Sequence, residues 1–308
     1  MKILVTGGAG FIGSHVADAL LEAGHAVVVI DDLSSGRDQS LNPHVKFQKA
    51  DIRDPGLEEL FARERFDVVV HQAAKANVRE SMQQPILYAD VNVLGSLNLL
   101  ELARKHGVRK FVYSSTGGAV YGEPQYLPVD EAHPINALDP YGASKHHVEH
   151  YLYLYRANYG LQYTVLRYPN VYGPRQDPYG EAGVVAIFTN RMLCRKPVTI
   201  NGTGEQQRDF VYVGDIARAN VLSLEKGDGE IYNIGSGRGT SINEIYDQLR
   251  ELTEYPLQGT YGPPKLGEVY RIFLDARKAG QQLGWQATTR LDAGLARTVE
   301  YFRRANSR

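Results

Sequence analysis

A single cysteine, Cys194, stands among 308 residues. An internal disulfide is therefore excluded, and a cysteine-based zinc or iron–sulfur site is not expected. Charge of one sign is not in excess either. Thirty-four Lys+Arg against 35 Asp+Glu leave a net charge of −1, which argues against a chain built to coat nucleic acid or anionic membrane. Long apolar runs are missing. The longest, such as Val27-Val28-Val29-Ile30 and Val68-Val69-Val70, fall far short of the roughly 20 residues of a membrane span. Met1-Lys2-Ile3-Leu4-Val5-Thr6-Gly7-Gly8 runs straight from a strand pattern into glycines, so no signal peptide is expected. With the lone cysteine, this points to a reducing cytoplasm.

What is present is ordinary folded-protein composition, 43% hydrophobic and 22% charged, which rules out general disorder. The length suits two lobes, or one large domain with an appendage. Short apolar runs alternate with amphipathic stretches through the first half. Strands are expected at Ile3–Val5, Val27–Ile30, Val45–Gln48, Val68–His71, Lys110–Ser114 and Gln162–Arg167. Helices are expected at Phe11–Ala23, Leu57–Arg65, Ile86–His106 and Ser144–Asn158. Buried β-branched runs separated by helices imply βαβ units, a parallel sheet and helices on both faces. After Arg167 the rhythm degrades into prolines and glycines. We place a nucleotide-binding domain at residues 1–168, to which the chain returns at about 210–236, and a smaller mixed α/β lobe at 169–209 and 237–308. Ligands of such folds bind in the cleft.

Thr6-Gly7-Gly8-Ala9-Gly10-Phe11-Ile12-Gly13 follows the first strand and opens the first helix. Gly7 allows the tight turn, Gly10 lets backbone approach a pyrophosphate, and Gly13 lets helix pack on strand. The helix N-terminus then offers free N–H groups to phosphate. Asp31 closes the second strand 18 positions after Gly13, with Asp32 beside it. A carboxylate there accepts from the adenosine ribose hydroxyls and repels the extra phosphate of NADP, so NAD is favoured; Arg37 a few residues on argues the other way. Asp51-Ile52 follows the third strand. Asp51 reads equally as an adenine contact, with Ile52 packed on the ring, or as a turn cap.

Tyr141-Gly142-Ala143-Ser144-Lys145 sets a phenol and an ammonium four residues apart, on one face of a helix. Lys145 is expected to lower the tyrosine pKa and make Tyr141 a base near neutral pH. Ser114-Ser115-Thr116 ends a strand upstream.

On these residues the chain resembles the extended short-chain dehydrogenase/reductases, and among them the nucleotide-sugar epimerases. Further matches are His71-Gln72-Ala73-Ala74, Asn92-Val93-Leu94-Gly95, Val120-Tyr121-Gly122, Arg167-Tyr168-Pro169-Asn170-Val171-Tyr172-Gly173-Pro174-Arg175 and Arg208-Asp209-Phe210-Val211. The resemblance covers essentially the whole chain. It implies a Rossmann-like doubly wound parallel sheet with a C-terminal substrate lobe, a bound NAD and a homodimer. It implies 4-epimerisation of a UDP-sugar, UDP-glucose and UDP-galactose, through a 4-keto intermediate. N-acetylated or uronic UDP-sugars, or a reductase of the same family, are the alternatives.

The resemblance also implies roles. Tyr141 takes the proton of the sugar 4-hydroxyl, Lys145 bonds the nicotinamide ribose, and Thr116, with Ser115 its alternative, steers the sugar oxygen. Gly7, Gly10, Phe11, Ile12, Gly13, Asp31, Asp32, Asp51, Ile52, Gln72, Ala73, Ala74 and Asn92 belong to the cofactor side. Asn170, Arg208, Lys265 and Glu268 belong to the substrate. The bland alternative for Arg208 is a surface ion pair with Asp209 or Glu205. Lys75 stands one residue out of register with a family cofactor lysine and is set aside. The related dehydratases carry an Asp-Glu pair after the threonine, where this chain has Gly117-Gly118. His146-His147-Val148-Glu149-His150 matches a zinc-protease pattern but shares its helix with Tyr141 and Lys145, so no metal is expected. Gly235-Ser236-Gly237-Arg238-Gly239 reads as a turn, followed by a Ser241–Glu244 capping box.

Overall fold

Seven parallel strands make one sheet: β1 Lys2–Thr6, β2 Ala26–Asp31, β3 Lys46–Lys49, β4 Val68–His71, β5 Lys110–Thr116, β6 Gln162–Tyr168 and β7 Glu230–Asn233. The structure, a computed structural model, describes residues 1–179, 183–264 and 269–306. The sheet runs β3-β2-β1-β4-β5-β6-β7, the doubly wound order extended by one strand. The order in which strands are added reverses between β1 and β4, and ligands of such sheets bind above that point. The glycine loop follows β1, and Gln72–Ala74 follows β4.

The central strands are apolar on both faces, as helices covering both sides demand. Ile3, Val5 and Val70 pack with Val16 and Leu20 of α1 (Phe11–Glu22) and with Ile216 of α5 (Val213–Leu222). Leu4, Val28 and Val69 face the other way, onto Leu60 and Phe61 of α2 (Leu57–Glu64), Leu99 of α3 (Pro85–Lys105) and Val148 and Leu152 of α4 (Pro140–Tyr159). This is the period-2 alternation of a strand read on two cores.

The helix α3 spans Pro85–Lys105 but is not regular. Its middle, Ala89–Leu94, is a π-helical segment between Pro85–Tyr88 and Gly95–Lys105. By length and composition alone the run could cross a membrane, which no short apolar run suggested. Its Leu99, Leu100, Leu102 and Ala103 are buried in the core of this fold, the other common origin of such a helix.

A third core gathers Phe188 and Met192 of helix Val184–Leu193, Ile245 and Leu249 of helix Ile242–Thr253, and Leu295 and Val299 of helix Leu291–Asn306. The division in chain order is not clean. Ala279, Leu283 and Trp285 join the core of the main sheet, and the Trp285 indole donates to the Asp215 carbonyl at 2.8 Å. Strand Phe210–Tyr212 pairs with Asn170–Tyr172 and β7 with β6, and Val211, Ile216, Tyr232 and Ile234 of the 210–236 return are buried in the core of the main sheet.

Candidate active site

The glycine loop is shaped by two close approaches. Gly7 has φ +66°, and a Cβ there would lie 2.6 Å from the Ala73 nitrogen; at Gly13 it would lie 2.1 Å from the Gly7 carbonyl oxygen. Gly10 caps α1 with no side chain on its N–H groups, leaving them for an anion. Asp31 is buried and accepts from the Ala9 N–H at 3.0 Å and the Leu33 N–H at 2.8 Å. It therefore builds the loop from beneath. Burial raises its pKa, against those backbone donors. Each oxygen retains a lone pair for a ribose hydroxyl. Asp32 is exposed and holds the Ser34 N–H and hydroxyl. Arg37 pairs with Asp177 at 3.3 Å.

A cavity of about 840 Å³ opens above the switch point. Gly7, Gly10, Phe11, Ile12 and Gly13 line it, with Asp31, Asp32, Asp51 and Ile52 and with Gln72, Ala73 and Ala74. Thr116, Tyr141, Lys145, Asn170 and Arg208 line the same cavity. The residues expected on the cofactor side, at the reacting centre and on the substrate side thus line one continuous space, apart from Asn92 and the undescribed Lys265 and Glu268. The cradle fits a dinucleotide: glycines where a Cβ would collide, uncapped helix N–H groups, and a carboxylate at the end of β2.

Two expected cofactor residues do more local work than their assignment implies. Asn92 is buried at 2% exposure and does not stand in the cavity wall. From the π-segment its amide accepts from the Lys75 N–H at 2.8 Å and donates to the Lys75 carbonyl and the Ser144 hydroxyl, both at 2.9 Å. It pins the backbone of Lys75, which does line the cavity. Lys75, set aside for its one-residue offset in register, is thus one of the residues around the cavity. Asp51 makes a turn to the Arg53 N–H at 2.8 Å and grips the Arg53 guanidinium, the turn reading, while still facing the cavity. That guanidinium holds its carboxyl below the usual range.

At the reacting end, Asp139 caps α4 by accepting from the Gly142 N–H at 2.8 Å, and Pro140 fills the first turn. A Cβ at Gly142 would come within 2.7 Å of the Ala119 carbonyl oxygen, so the helix starts hard against the 117–122 loop. Thr116 lines the cavity beside Tyr141 and pulls the phenol pKa down. The adjacent Ser115 donates instead to Glu149 at 2.6 Å. The geometry thus separates the two hydroxyls that sequence left as alternatives. Lys145 is buried, its ammonium 4.3 Å from the centre of the Tyr113 ring.

The expected lowering of the phenol is not what this protein alone achieves. Burial pushes Tyr141 up to about 12, the Thr116 hydrogen bond pulls it back in part, and Asp139 adds to the rise. Burial pushes Lys145 down to about 7, opposed by the Glu149 charge. Desolvation outweighs pairing because the phenolate and the ammonium both leave water.

Arg208 donates to the Gln207 carbonyl at 2.9 Å and the Tyr270 carbonyl at 3.3 Å. The Asp209 carboxylate is committed to Ser236, Gly237 and the Leu274 N–H, so it anchors the 235–239 turn. The Ser241 hydroxyl accepts from the Glu244 N–H at 3.0 Å. Lys265 and Glu268 lie outside the described residues. On α4, His146 contacts Glu149 at 3.2 Å, His147 contacts the Ala143 carbonyl at 2.7 Å, and His150 stacks on Tyr153. Sequence reasoning missed Glu149 and Arg167, although Glu149 stands one helical turn beyond Lys145.

Comparison with known proteins gives the site its context. The family model "NAD dependent epimerase/dehydratase family" matches residues 3–235. The UDP-glucose 4-epimerase of Mycolicibacterium smegmatis is 44% identical over 98% of this chain and 99% of its own length. The crystal structure of a UDP-glucose 4-epimerase with UDP-glucose from Thermotoga maritima superposes with a TM-score of 0.98 at 51% identity, covering 99% of this chain and 100% of that one. A UDP-glucose 4-epimerase of Thermus thermophilus in complex with NAD superposes with a TM-score of 0.93 at 44% identity, covering 98% and 99%. The chain belongs to the NAD dependent epimerase/dehydratase family.

Proposed function

We propose that this protein interconverts UDP-galactose and UDP-glucose by inverting C4 of the sugar, with NAD resident in the glycine cradle. The relatives named above support the reaction. The observation that carries it here is the shape around Thr116. A Cβ at Gly117 would sit 2.3 Å from Leu274, whereas one at Gly118 would meet nothing closer than Thr116 at 3.8 Å and Asn170 at 4.0 Å. Any larger residue at Gly117 must displace the Leu274 side chain, neither glycine carries the carboxylate that dehydration needs, and Gly118 leaves open space beside Thr116.

NAD held in the glycine cradle would supply reversible hydride chemistry at C4. The chain's residues do the rest. Tyr141 removes the 4-hydroxyl proton and later gives it back, so the overall change is redox-neutral. Thr116 fixes the phenol and the sugar oxygen together. Lys145 binds on the cofactor side of Tyr141. Asn170 and Arg208 hold the diphosphate while the sugar end turns; the guanidinium fork suits phosphate oxygens. We assign the protein to the cytoplasm, with no membrane or nucleic-acid partner. We assign it a homodimer built on α3 and α4, supported by the exposed Ile86 (83%), Leu94 (57%) and Tyr153 (56%); a monomeric mass in light scattering contradicts that.

The test of the site is Tyr141→Phe. Turnover should fall at least about a thousandfold, with NAD content and UDP-galactose affinity retained. Turnover near the wild-type rate would overturn the assignment of Tyr141.

A further inference from the structure

We propose that Glu149 is a positioning residue of this site: its buried carboxylate, held by Ser115 of β5 and Arg167 of β6, fixes α4 on the sheet at the height where Tyr141 meets Thr116. The inference rests on the roles given to Tyr141 and Thr116 above.

Helix α4 carries Tyr141, Lys145 and Glu149 at successive four-residue steps, so one rigid element holds all three. Its neighbour β5 carries Ser115 and Thr116 side by side. One measured hydrogen bond crosses between these elements: Ser115 donates to Glu149 Oε1 at 2.6 Å. Beside it, Thr116 acts on the Tyr141 phenol, which lines the same cavity. Glu149 stands two helical turns beyond Tyr141, so its bond to Ser115 fixes the helix on the strand at a second level.

Glu149 is itself clamped. Arg167 Nε donates to Oε1 at 3.0 Å and Nη2 to Oε2 at 2.6 Å, a bidentate pair with both residues at 3% exposure. The Arg167 Nη1 donates to the Tyr121 hydroxyl at 2.8 Å, which donates to Asn233 Oδ1 of β7 at 2.8 Å. His146 Nδ1 contacts Oε2 at 3.2 Å. The carboxylate therefore ties α4 to three neighbouring strands through one set of directional bonds.

Stability alone does not account for this arrangement. A buried ion pair is commonly matched or bettered by apolar side chains of similar volume, and α4 already buries Val148 and Leu152. What apolar packing does not supply is a fixed register, and hydrogen bonds to a fork do. A shift of about 1 Å between a base and its partner is enough to cost on the order of a hundredfold in rate. The same carboxylate also opposes the burial-driven fall of the Lys145 ammonium toward neutrality.

Replacing Glu149 outright strands the Arg167 charge and risks the fold, so the test acts on Ser115. NAD-replete wild type, Ser115→Ala, Thr116→Ala and the double variant are assayed for kcat and KM with UDP-galactose, alongside NAD content and Tm. Ser115→Ala is expected to lower kcat about 10- to 100-fold, with KM within about twofold and NAD content unchanged. In the Thr116→Ala background the same substitution should lower kcat by less than about twofold, because the contact it positions is gone. An unchanged kcat in Ser115→Ala, or an equal fold loss in both backgrounds, overturns the positioning role and leaves the site assignment standing. Full activity in Thr116→Ala overturns the assignment of Thr116, and the positioning role with it.

Discussion

Thr116 and Tyr141 line one cavity, and Thr116 pulls the phenol pKa down against the rise that burial causes; proton transfer is proposed at this junction. Thr116→Val keeps the branched shape and removes the hydroxyl. We expect kcat to fall about 100-fold, while Thr116→Ser stays within about tenfold of wild type. Steady-state kinetics on protein with matched NAD content checks both.

Gly13 is packed against the loop it closes, and a Cβ there would approach the Gly7 carbonyl oxygen to 2.1 Å. Neither partner is a flexible side-chain end, so backbone must move. Gly13→Ala should cost about 2–3 kcal/mol and yield protein with little NAD. Denaturant unfolding and the absorbance of released nucleotide read the two effects.

Asp31 holds the Ala9 and Leu33 N–H groups as well as facing the cavity. Asp31→Ala leaves two backbone donors without their acceptor, at about 2 kcal/mol or more of stability. It also removes the negative charge that disfavours a second phosphate. The ratio of NADP to NAD affinity, measured by calorimetry, should rise in Asp31→Asn, which keeps one acceptor for the loop.

The nucleotide cradle and the Tyr141 helix were legible in the sequence because their signals are local. The glycine spacing, the acid ending β2 and the Tyr141–Lys145 step each sit within a few residues. The strands around Gly7 and Lys145 lie within two residues of their expected ends. What was not legible depends on closure over long separations. Asn92 is expected on the cofactor side, but its hold on the backbone of Lys75, 17 residues away, comes only with the π-segment. Asp209 reads as a partner for its neighbour Arg208 until Ser236 and Leu274 arrive from 27 and 65 residues on. The phenol pKa depends on burial that only the folded cavity creates.

Lys145 illustrates a cost of function. Its pKa falls from 10.5 to about 7 on burial. Below pH 7 both folded and unfolded chains carry the proton, and the full penalty of burying the ammonium is present. As pH rises from 7 to 10.5 the folded chain binds fewer protons than the unfolded one, and the penalty fades. Lys145→Met should therefore raise the Tm of nucleotide-free protein, by about 3 °C per kcal/mol recovered, while losing activity. The gain should be largest at pH 6 and shrink toward pH 10. Scanning calorimetry across that range checks the sign.

The central claim is a redox-neutral inversion at C4 by a protein that keeps its own NAD. Purified protein is incubated with UDP-galactose and no added cofactor, and the anomeric protons are followed by NMR. The predicted result is a mixture of UDP-galactose and UDP-glucose, reached equally from either sugar. No conversion even after NAD is added, or net accumulation of an oxidised or reduced sugar, would contradict it.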